Sequence, residues 1–415
     1  MPAHHGIGYT WTVTRHRLRR DRTRVAIVTE GFLSRLSLGF VSLALPLYAL
    51  DLGMGLGAVG LLVSVNVIVQ LVAKPLAAPL ADRFGHRRTL LVAIAGRSLV
   101  CLLFALATAP WALFAVRGVY GLTQALRDPP LNALIADAGG TKQVAQTFGW
   151  YHTAKNVAAS LGRAGAGLLL VAGPEEDYRL VFLVAFGLSV LPLGVVAQWL
   201  VPRHPSAAAA TVATGPRPRV LGLATLGFLF GITAGMLNLF PAIAETYFHL
   251  GPAQIGLIML GSTVALIVCG PLFGFLADRV SRGLVLGVRS IANITSSLLY
   301  LAFPTLGGVA VAKIVDDAGK AAFRPAWGSV MAEVAREHPG RRAQVMALIE
   351  VGEDAGDAAG PALAGWLLAT GGLPLMFGVR CGLAAVTEGW TWWTTHRRRP
   401  ERAAVTPAAA AGSPR

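Results

Sequence analysis

Apolar runs long enough to cross a bilayer, about 20 residues each, follow one another along nearly the whole chain, separated by short polar segments. In the first half they cover 25–50, 56–81, 89–109, 111–135, 145–172 and 179–201. In the second half they cover 220–248, 254–277, 284–304, 306–331, 344–369 and 373–395. The stretches 181–201 and 255–277 carry no charge, whereas the fourth, fifth, tenth and eleventh runs are interrupted by charged residues. Backbone N–H and C=O groups inside a bilayer have no water to pair with, so each run is expected to be a helix. The pattern predicts an all-α integral membrane protein with twelve transmembrane helices.

One polar stretch between runs occurs twice. Pro79-Leu80-Ala81-Asp82-Arg83-Phe84-Gly85-His86-Arg87-Arg88 follows the second run, and Gly274-Phe275-Leu276-Ala277-Asp278-Arg279-Val280-Ser281-Arg282 follows the eighth. The two aspartates are 196 residues apart, roughly half the chain. A hairpin recurring at half-length reads as two copies of one membrane unit.

Composition agrees with the pattern. The 415 residues are 54% hydrophobic and 14% charged, with a mean hydropathy of +0.59; a soluble chain carries about 25% charged residues. The net charge of +15 does not point to nucleic acid. Its arginines concentrate in the short segments between runs and at the termini, and no basic patch is interleaved with aromatics. Cys101, Cys269 and Cys381 each sit alone in an apolar run and read as small core hydrophobes, not as metal ligands or disulfide partners. The basic run from Arg15 to Arg24 leads into an apolar stretch too long for a signal peptide, so that stretch reads as a retained first span.

The basic residues also orient the chain. Loops after even-numbered spans hold Arg83, Arg87, Arg88, Lys142, Arg203, Arg217, Arg219, Arg279, Arg282, Arg336, Arg341 and Arg342, while the opposite loops carry Arg179 beside Glu175, Glu176 and Asp177. Both termini are therefore expected to be cytoplasmic, in a multi-pass protein of the cytoplasmic membrane. The expected organisation is a basic tail (1–24), a first six-helix bundle (25–201), an Ala/Thr/Pro-rich cytoplasmic linker (202–219), a second six-helix bundle (220–396) and a disordered cytoplasmic tail (397–415). Trp199, Trp390, Trp392 and Trp393 fall at the cytoplasmic ends of spans, as interfacial aromatics do.

Two six-span halves joined by a cytoplasmic linker, with this hairpin in each, resemble the major facilitator superfamily over nearly the whole chain. The family's hairpin is G-x-L-A-D-R-x-G-R-R. Leu80, Ala81, Asp82, Arg83, Gly85 and Arg87 match it, with Arg88 following; Pro79 stands at the x before Leu80, the first Gly is absent, and His86 replaces an Arg. The second copy keeps Gly274 but has Ser281 at the second Gly. Arg117-Gly118-Val119-Tyr120-Gly121 is similar to the family's span 4 motif R-x-x-Q-G without the Gln. The antiporter branch carries G-x-x-x-G-P-x-x-x-G in span 5. Here Gly162-Arg163-Ala164-Gly165 stands there without the Pro, and the pattern occurs instead in span 11, as Gly356 to Pro361 with Gly365. The resemblance implies two pseudo-symmetric six-helix bundles around a central cavity. The span 11 glycines also have a plain packing explanation.

The hairpin has a physical role apart from the family. A helix N-terminus presents unpaired N–H groups and partial positive charge. Asp82 can dock on the start of span 11, and Asp278, with Arg279 beside it, on the start of span 5. Arg83, Arg87 and Arg88 would then sit at lipid headgroups. The alternative is a basic loop that only signals topology.

Charges inside spans are costly and mark cavities or pairs. In span 10, Lys313, Asp317, Lys320 and Arg324 share one helix face, with Asp316 beside them. Lys313 with Asp317, and Asp316 with Lys320, are i,i+4 pairs. The stripe lines a cavity or holds helices together. Spans 5 and 11 align at an offset of 198, which sets His152, Lys155 and Asn156 opposite Glu350, Glu353 and Asp354; Asp357 continues the acidic set. Asn66, Gln70 and Lys74 follow at steps of four in span 2. Lys74 and Lys155 are the expected partners of the span 11 acids, which cannot all stay ionised so close together in a low-dielectric site. Arg35 is a cavity candidate. Glu30 and Glu245, near span ends, read as interfacial, and Arg127 with Asp128 reads as part of the hairpin latch.

No nucleotide-binding loop, metal-ligand cluster or nucleophile–base pair is present in the sequence, so neither a cofactor nor an enzyme is expected. The expected function is secondary transport of a small organic solute by alternating access, coupled to protons, in a functional monomer. Efflux of amphipathic compounds fits the hairpin and the span 11 glycines. Uptake of an organic anion fits Arg35, Arg117, Lys155 and Arg163. A membrane sensor, scaffold or lipid flippase is the reading from another class.

Overall fold

The computed structural model describes residues 6–139, 144–173, 177–199, 218–279, 282–336 and 342–396. Lys142, the linker through 217, the tail from 397, and the side chains of 6–21, Asp82, His152, Asp278 and Arg324 lie outside the described residues. All elements described are helical. The first half holds α1 (Gly6–Asp51), α2 (Leu56–Phe84), α3 (His86–Leu106), α4 (Pro110–Gly139), α5 (Val144–Ala172) and α6 (Tyr178–Trp199). The second holds α7 (Pro218–Gly235), a single 3₁₀ turn (Met236–Leu239), α8 (Phe240–Phe248), α9 (Pro252–Arg279), α10 (Arg282–Ala302), α11 (Leu306–Arg336) and α12 (Arg342–His396).

Twelve membrane passes fit these elements once two breaks are read correctly. The seventh pass is α7, the 3₁₀ turn and α8 in series. Pro241, at the start of α8, has no N–H to donate and its ring crowds the carbonyl four residues back, and the α-helical pattern gives way there to the 3₁₀ turn. The eleventh and twelfth passes are the two arms of α12, which meet at Gly372 with φ 66 and ψ −161. That backbone position is open to glycine at no steric cost. Eight described segments are long and apolar enough to cross a membrane, one of them the double-length Leu348–Thr391; the charged helices α4, α5 and α11 complete the set. α7 opens at Pro218, just inside the stretch expected as linker, because proline at a first helical position forfeits no hydrogen bond. Gly85, in the hairpin, has φ 86 and turns the chain from α2 into α3 with one residue.

The core is divided unevenly. On the face far from the chain termini one apolar cluster draws on both halves, with Leu43, Leu47, Leu62, Phe104 and Phe182 meeting Leu239, Phe240, Ala364 and Phe377. On the terminal face there are two separate clusters. Ile27, Leu90, Ile94, Leu134 and Val196 form one within the first half; Phe230, Phe323, Trp327 and Ile349 form the other within the second. The bundles are fused at the far face and packed individually at the terminal face.

Glycines make the fusion possible. A Cβ on Gly60 of α2 would lie 2.3 Å from Pro361 O of α12, and one on Gly365 2.5 Å from Leu56 O. A Cβ on Gly167 of α5 would lie 2.3 Å from Pro252 O of α9, and one on Gly256 2.8 Å from Arg163 O. The two seams are pseudo-equivalent, since 60 and 256 differ by 196, and 167 and 365 by 198. Within the bundles, Gly356 and Gly360 of α12 pack on α7, with Cβ positions 2.2 Å from Phe228 O and 2.6 Å from Gly235 C. Gly162 packs likewise on α1, 2.2 Å from Leu36 O. The span 11 glycine motif therefore serves close helix packing, and Gly162 provides the same contact in the first bundle.

Candidate functional site: a charged cavity between the bundles

Below the fused core lies a cavity of about 370 Å³. Asn156 of α5 lines it from the first bundle; Phe230, Gly231, Leu266, Arg289, Lys320, Phe323, Glu353, Asp354 and Asp357 line it from the second. At 1.5 Å per helical residue these side chains start about 10–24 Å in from the terminal-face ends of their helices. Phe230 and Phe323 meet at a tilt with ring centroids 4.4 Å apart, and Phe323 stacks in turn on Trp327 at 5.5 Å. The site combines an aromatic floor, an acidic wall from α12 and a basic wall from α10 and α11.

The acidic wall is tied to its neighbours. Lys74 Nζ of α2 donates to Asp354 Oδ2 at 2.8 Å, an ion pair that bridges the two bundles and is half-exposed on both sides. Asn238 Nδ2 donates to Asp357 Oδ1 at 3.0 Å. Glu353 immediately precedes Asp354 and lines the cavity, whereas Glu350 is exposed.

The span 10 stripe is more deeply buried than a cavity lining would be. Asp316 has no exposed surface. Lys320 Nζ lies 2.8 Å from its Oδ2, Arg289 Nη1 donates to its Oδ1 at 3.2 Å, and Arg380 Nη2 donates to the same oxygen. Lys313 Nζ donates to Asp317 Oδ2 at 2.6 Å and Lys320 Nζ to Asp317 Oδ1 at 3.1 Å. Arg380, from the second arm of α12, also donates to Asn293 Oδ1 at 2.7 Å, Ser297 Oγ at 2.9 Å and Thr233 O at 3.1 Å. Asp316 thus knits α11 into its bundle, Lys313 and Asp317 pair within the helix, and Lys320 alone of the four lines the cavity. Asp316 is sealed because α10 and the second arm of α12 each supply an arginine.

The first bundle has its own buried network. Glu30 is 1% exposed, not interfacial as its position near a span end implied. Arg127 donates to it from Nε at 3.1 Å and from Nη2 at 2.8 Å, Ser34 Oγ donates to Oε1 at 2.7 Å, and Arg97 Nη2 donates to Ser34 Oγ at 2.6 Å. Arg127 is accordingly a core residue rather than a latch residue. α1, α3 and α4 come together here, and the pair escapes water because three helices close over it. Asp128 accepts from Gln70 Nε2 at 2.6 Å and lies 3.7 Å from Arg127 Nη1.

The remaining basic candidates stay outside the described cavity wall. Lys155 Nζ lies 5.3 Å from the Tyr151 ring centroid, and the Arg117 guanidinium 5.4 Å from that of Tyr120. Arg163 Nη2 donates to Ser160 Oγ at 2.9 Å, and Ser160 in turn meets Thr263 across the bundle interface. Arg35 is half-buried in the middle of α1. In the hairpins, Arg83 and Arg88 are exposed, Arg87 donates to Ala197 O at the end of α6, and Arg279 sits 4.5 Å over the Phe275 ring. Arg97, Arg289 and Arg380 were not singled out from the sequence. Each is a lone arginine inside an apolar run, and that isolation is the signal that marks a buried partner.

Two pseudo-symmetric six-helix bundles, fused on one face and parted around a charged cavity, make this a polytopic all-α membrane protein of the two-bundle kind. The chain belongs to the Major Facilitator Superfamily, whose model matches it twice, over residues 30–224 and 221–415. It is 25% identical over 384 residues to the multidrug resistance protein MdtG of Serratia proteamaculans (strain 568), covering 88% of this chain and 92% of that one. It is 29% identical over 160 residues to the quinolone resistance protein NorA of Staphylococcus aureus (strain MRSA252). That match spans 39% of this chain and 40% of NorA. In fold it is similar to a point variant of the nucleoside transporter NupG, with TM-score 0.76, 15% identity and coverage of 89% of this chain and 99% of that one. It is also similar to a bacterial homologue of the lysosomal transporter Spinster in an inward-facing, occupied conformation, with TM-score 0.72, 15% identity and coverage of 91% and 97%.

Proposed function

We propose that this protein is a secondary active transporter that exports amphipathic organic solutes across the cytoplasmic membrane by alternating access, driven by protons. The observation that carries the reading is the cavity, which lies between bundles fused on one face and separately packed on the other. Rocking the bundles about such a cavity exposes it to either side in turn. With both termini cytoplasmic, as the distribution of basic residues supports, the fused face is extracellular and the structure is the inward-facing state. The names of NorA and MdtG support drug efflux as the direction.

The proposed coupling site is the acidic wall. Lys74 and Asp354 join the two bundles, and Glu353 and Asp357 lie one turn or less away on the same helix. Protonating Asp354 removes its charge and releases Lys74, which loosens the α2–α12 seam. Deprotonation restores the pair. A proton thereby biases which state is populated. Asp82 and Asp278 add a latch at the terminal face by docking on helix N-termini, and the protein acts as a monomer.

Proteoliposomes with an imposed proton gradient test this. Glu353→Gln or Asp354→Asn should abolish gradient-driven accumulation of an amphipathic dye and spare dye-for-dye exchange. If both substitutions, singly and together, leave accumulation and its pH dependence unchanged, the coupling site is not in this helix. Uptake of an organic anion is the second reading, favoured by Arg35, Arg117, Lys155 and Arg163 in the first bundle. Accumulation of anion rather than dye would select it.

A further inference from the structure

The two seams that join the bundles are built alike but do not close alike. Positions in α2 and α9 correspond at an offset of 196, and positions in α5 and α12 at 198, as Gly60 with Gly256 and Gly167 with Gly365 illustrate. On the α2–α12 seam, Ser64 Oγ accepts from Ala362 N at 3.0 Å. Ten residues nearer the terminal face, about 15 Å along the helix, Lys74 ties the same seam to Asp354 at 2.8 Å.

On the other seam the equivalent positions are Gly270 for Lys74 and Asn156 for Asp354. A glycine has no side chain to bridge with, and an asparagine carries no charge, so no ion pair answers Lys74–Asp354 there. Both residues line the cavity, Asn156 is exposed, and a Cβ on Gly270 would meet no atom within 4 Å. The hydrogen bond that this seam does carry, Ser160 with Thr263, lies seven residues before Gly270, toward the far face. Gly270 is nine residues from Arg279 at the end of α9, and Asn156 is twelve from Val144 at the start of α5. Both are therefore about 14–18 Å in from the terminal face, at the depth of acyl chains. Val264, Val268 and Leu272 of α9 and Leu161 of α5 are exposed along the same seam, and in a membrane such side chains meet lipid.

We propose that the α5–α9 seam is a side entrance to the cavity. An amphipathic solute dissolved in the leaflet at the terminal face passes between Asn156 and Gly270, while Lys74–Asp354 keeps the α2–α12 seam shut. This rests on the transport reading and gives its solute a route. Two tied seams would open the cavity only to water along the bundle axis. One untied seam opens it to lipid, where the apolar part of such a solute is concentrated.

A removable obstruction tests the entrance. In a background with Cys101, Cys269 and Cys381 replaced by serine, Gly270→Cys is given a benzyl or a methyl group through a methanethiosulfonate reagent. The open space at Gly270 accommodates the cysteine. Association and dissociation of rhodamine 6G are followed by stopped-flow fluorescence on the full-length protein in lipid nanodiscs. The benzyl adduct should slow both rates by the same factor and leave Kd unchanged, because a doorway alters passage in each direction but not the bound state. The methyl adduct should slow them less, and a reductant that removes either adduct should restore them, which separates obstruction from misfolding. The benzyl adduct on Val72→Cys, at an exposed position of α2, should change neither rate. Unchanged rates with the benzyl group at 270 overturn the side entrance and leave entry along the bundle axis. A weakened Kd with unchanged association overturns it too, since position 270 would then belong to the binding site. Equal slowing from position 72, or a thiol at 270 that no reagent reaches, does the same. Failure of rhodamine 6G to bind the unaltered protein sinks the transport reading, and the entrance with it.

Discussion

A methyl group at a seam between bundles should act differently from the same methyl group inside one bundle. Gly167→Ala places a Cβ 2.3 Å from Pro252 O, on the α5–α9 seam that closes the far face. Ordinary Cβ contacts begin near 3.4 Å, so the helices must separate by roughly an ångström there. Overpacking of this kind costs about 1–3 kcal/mol. In an alternating-access cycle the far ends of the bundles part, so the cost falls on the structure seen here and not on the outward-open state. The equilibrium then shifts by about 5–150-fold toward the open far face. Gly356→Ala makes an equally close contact, 2.2 Å from Phe228 O, but between α12 and α7 of one bundle, so it burdens both states alike. Ser64 is a suitable reporter. It is fully buried, and its Oγ accepts from Ala362 N across the other seam at 3.0 Å. With Cys101, Cys269 and Cys381 removed, Ser64→Cys should react slowly with a membrane-impermeant maleimide. Adding Gly167→Ala should raise that rate by the factor above, and adding Gly356→Ala should lower thermal stability without raising it. Equal labelling rates for the two glycine variants would refute the two-state reading of the seams.

Four further outcomes are expected. Breaking the buried pair by Glu30→Met or Arg127→Leu should destabilise the protein by about 3–5 kcal/mol, read as a lower thermal midpoint in detergent, and the double variant should recover most of it. Disrupting Lys74–Asp354, half-exposed on both sides, should cost under about 1 kcal/mol and separates the seam's function from its stability. A cysteine at position 320 should label with a charged thiol reagent while cysteines at 313 and 317 stay protected, and labelling at all three would mean the stripe faces the cavity after all. Asp82→Asn should slow transport at near-normal expression, and unchanged kinetics would remove the latch.

Much of the fold is written in the periodicity. Twelve membrane passes, the half-chain repeat and the i,i+4 pairs of α11 are local properties, set by run length, turn residues and helix geometry. Lys74 and the α12 acids were also marked for each other by residue type and depth, together with the family resemblance, which implies that spans 2 and 11 meet. What the sequence left undecided is which residue closes on which across helices. Glu30 looked solvated because distance from a span end is a poor measure of burial once α1, α3 and α4 close over it. Asp316 looked like one half of a helical pair, yet it gathers arginines 27 residues before it and 64 after it. The arginine pair on Asp316, and the opposition of basic and acidic walls around two phenylalanines, exist only once α7, α10, α11 and α12 are packed. A buried charge takes its meaning from its partners, and in a membrane bundle those partners come from other helices at separations no local pattern encodes.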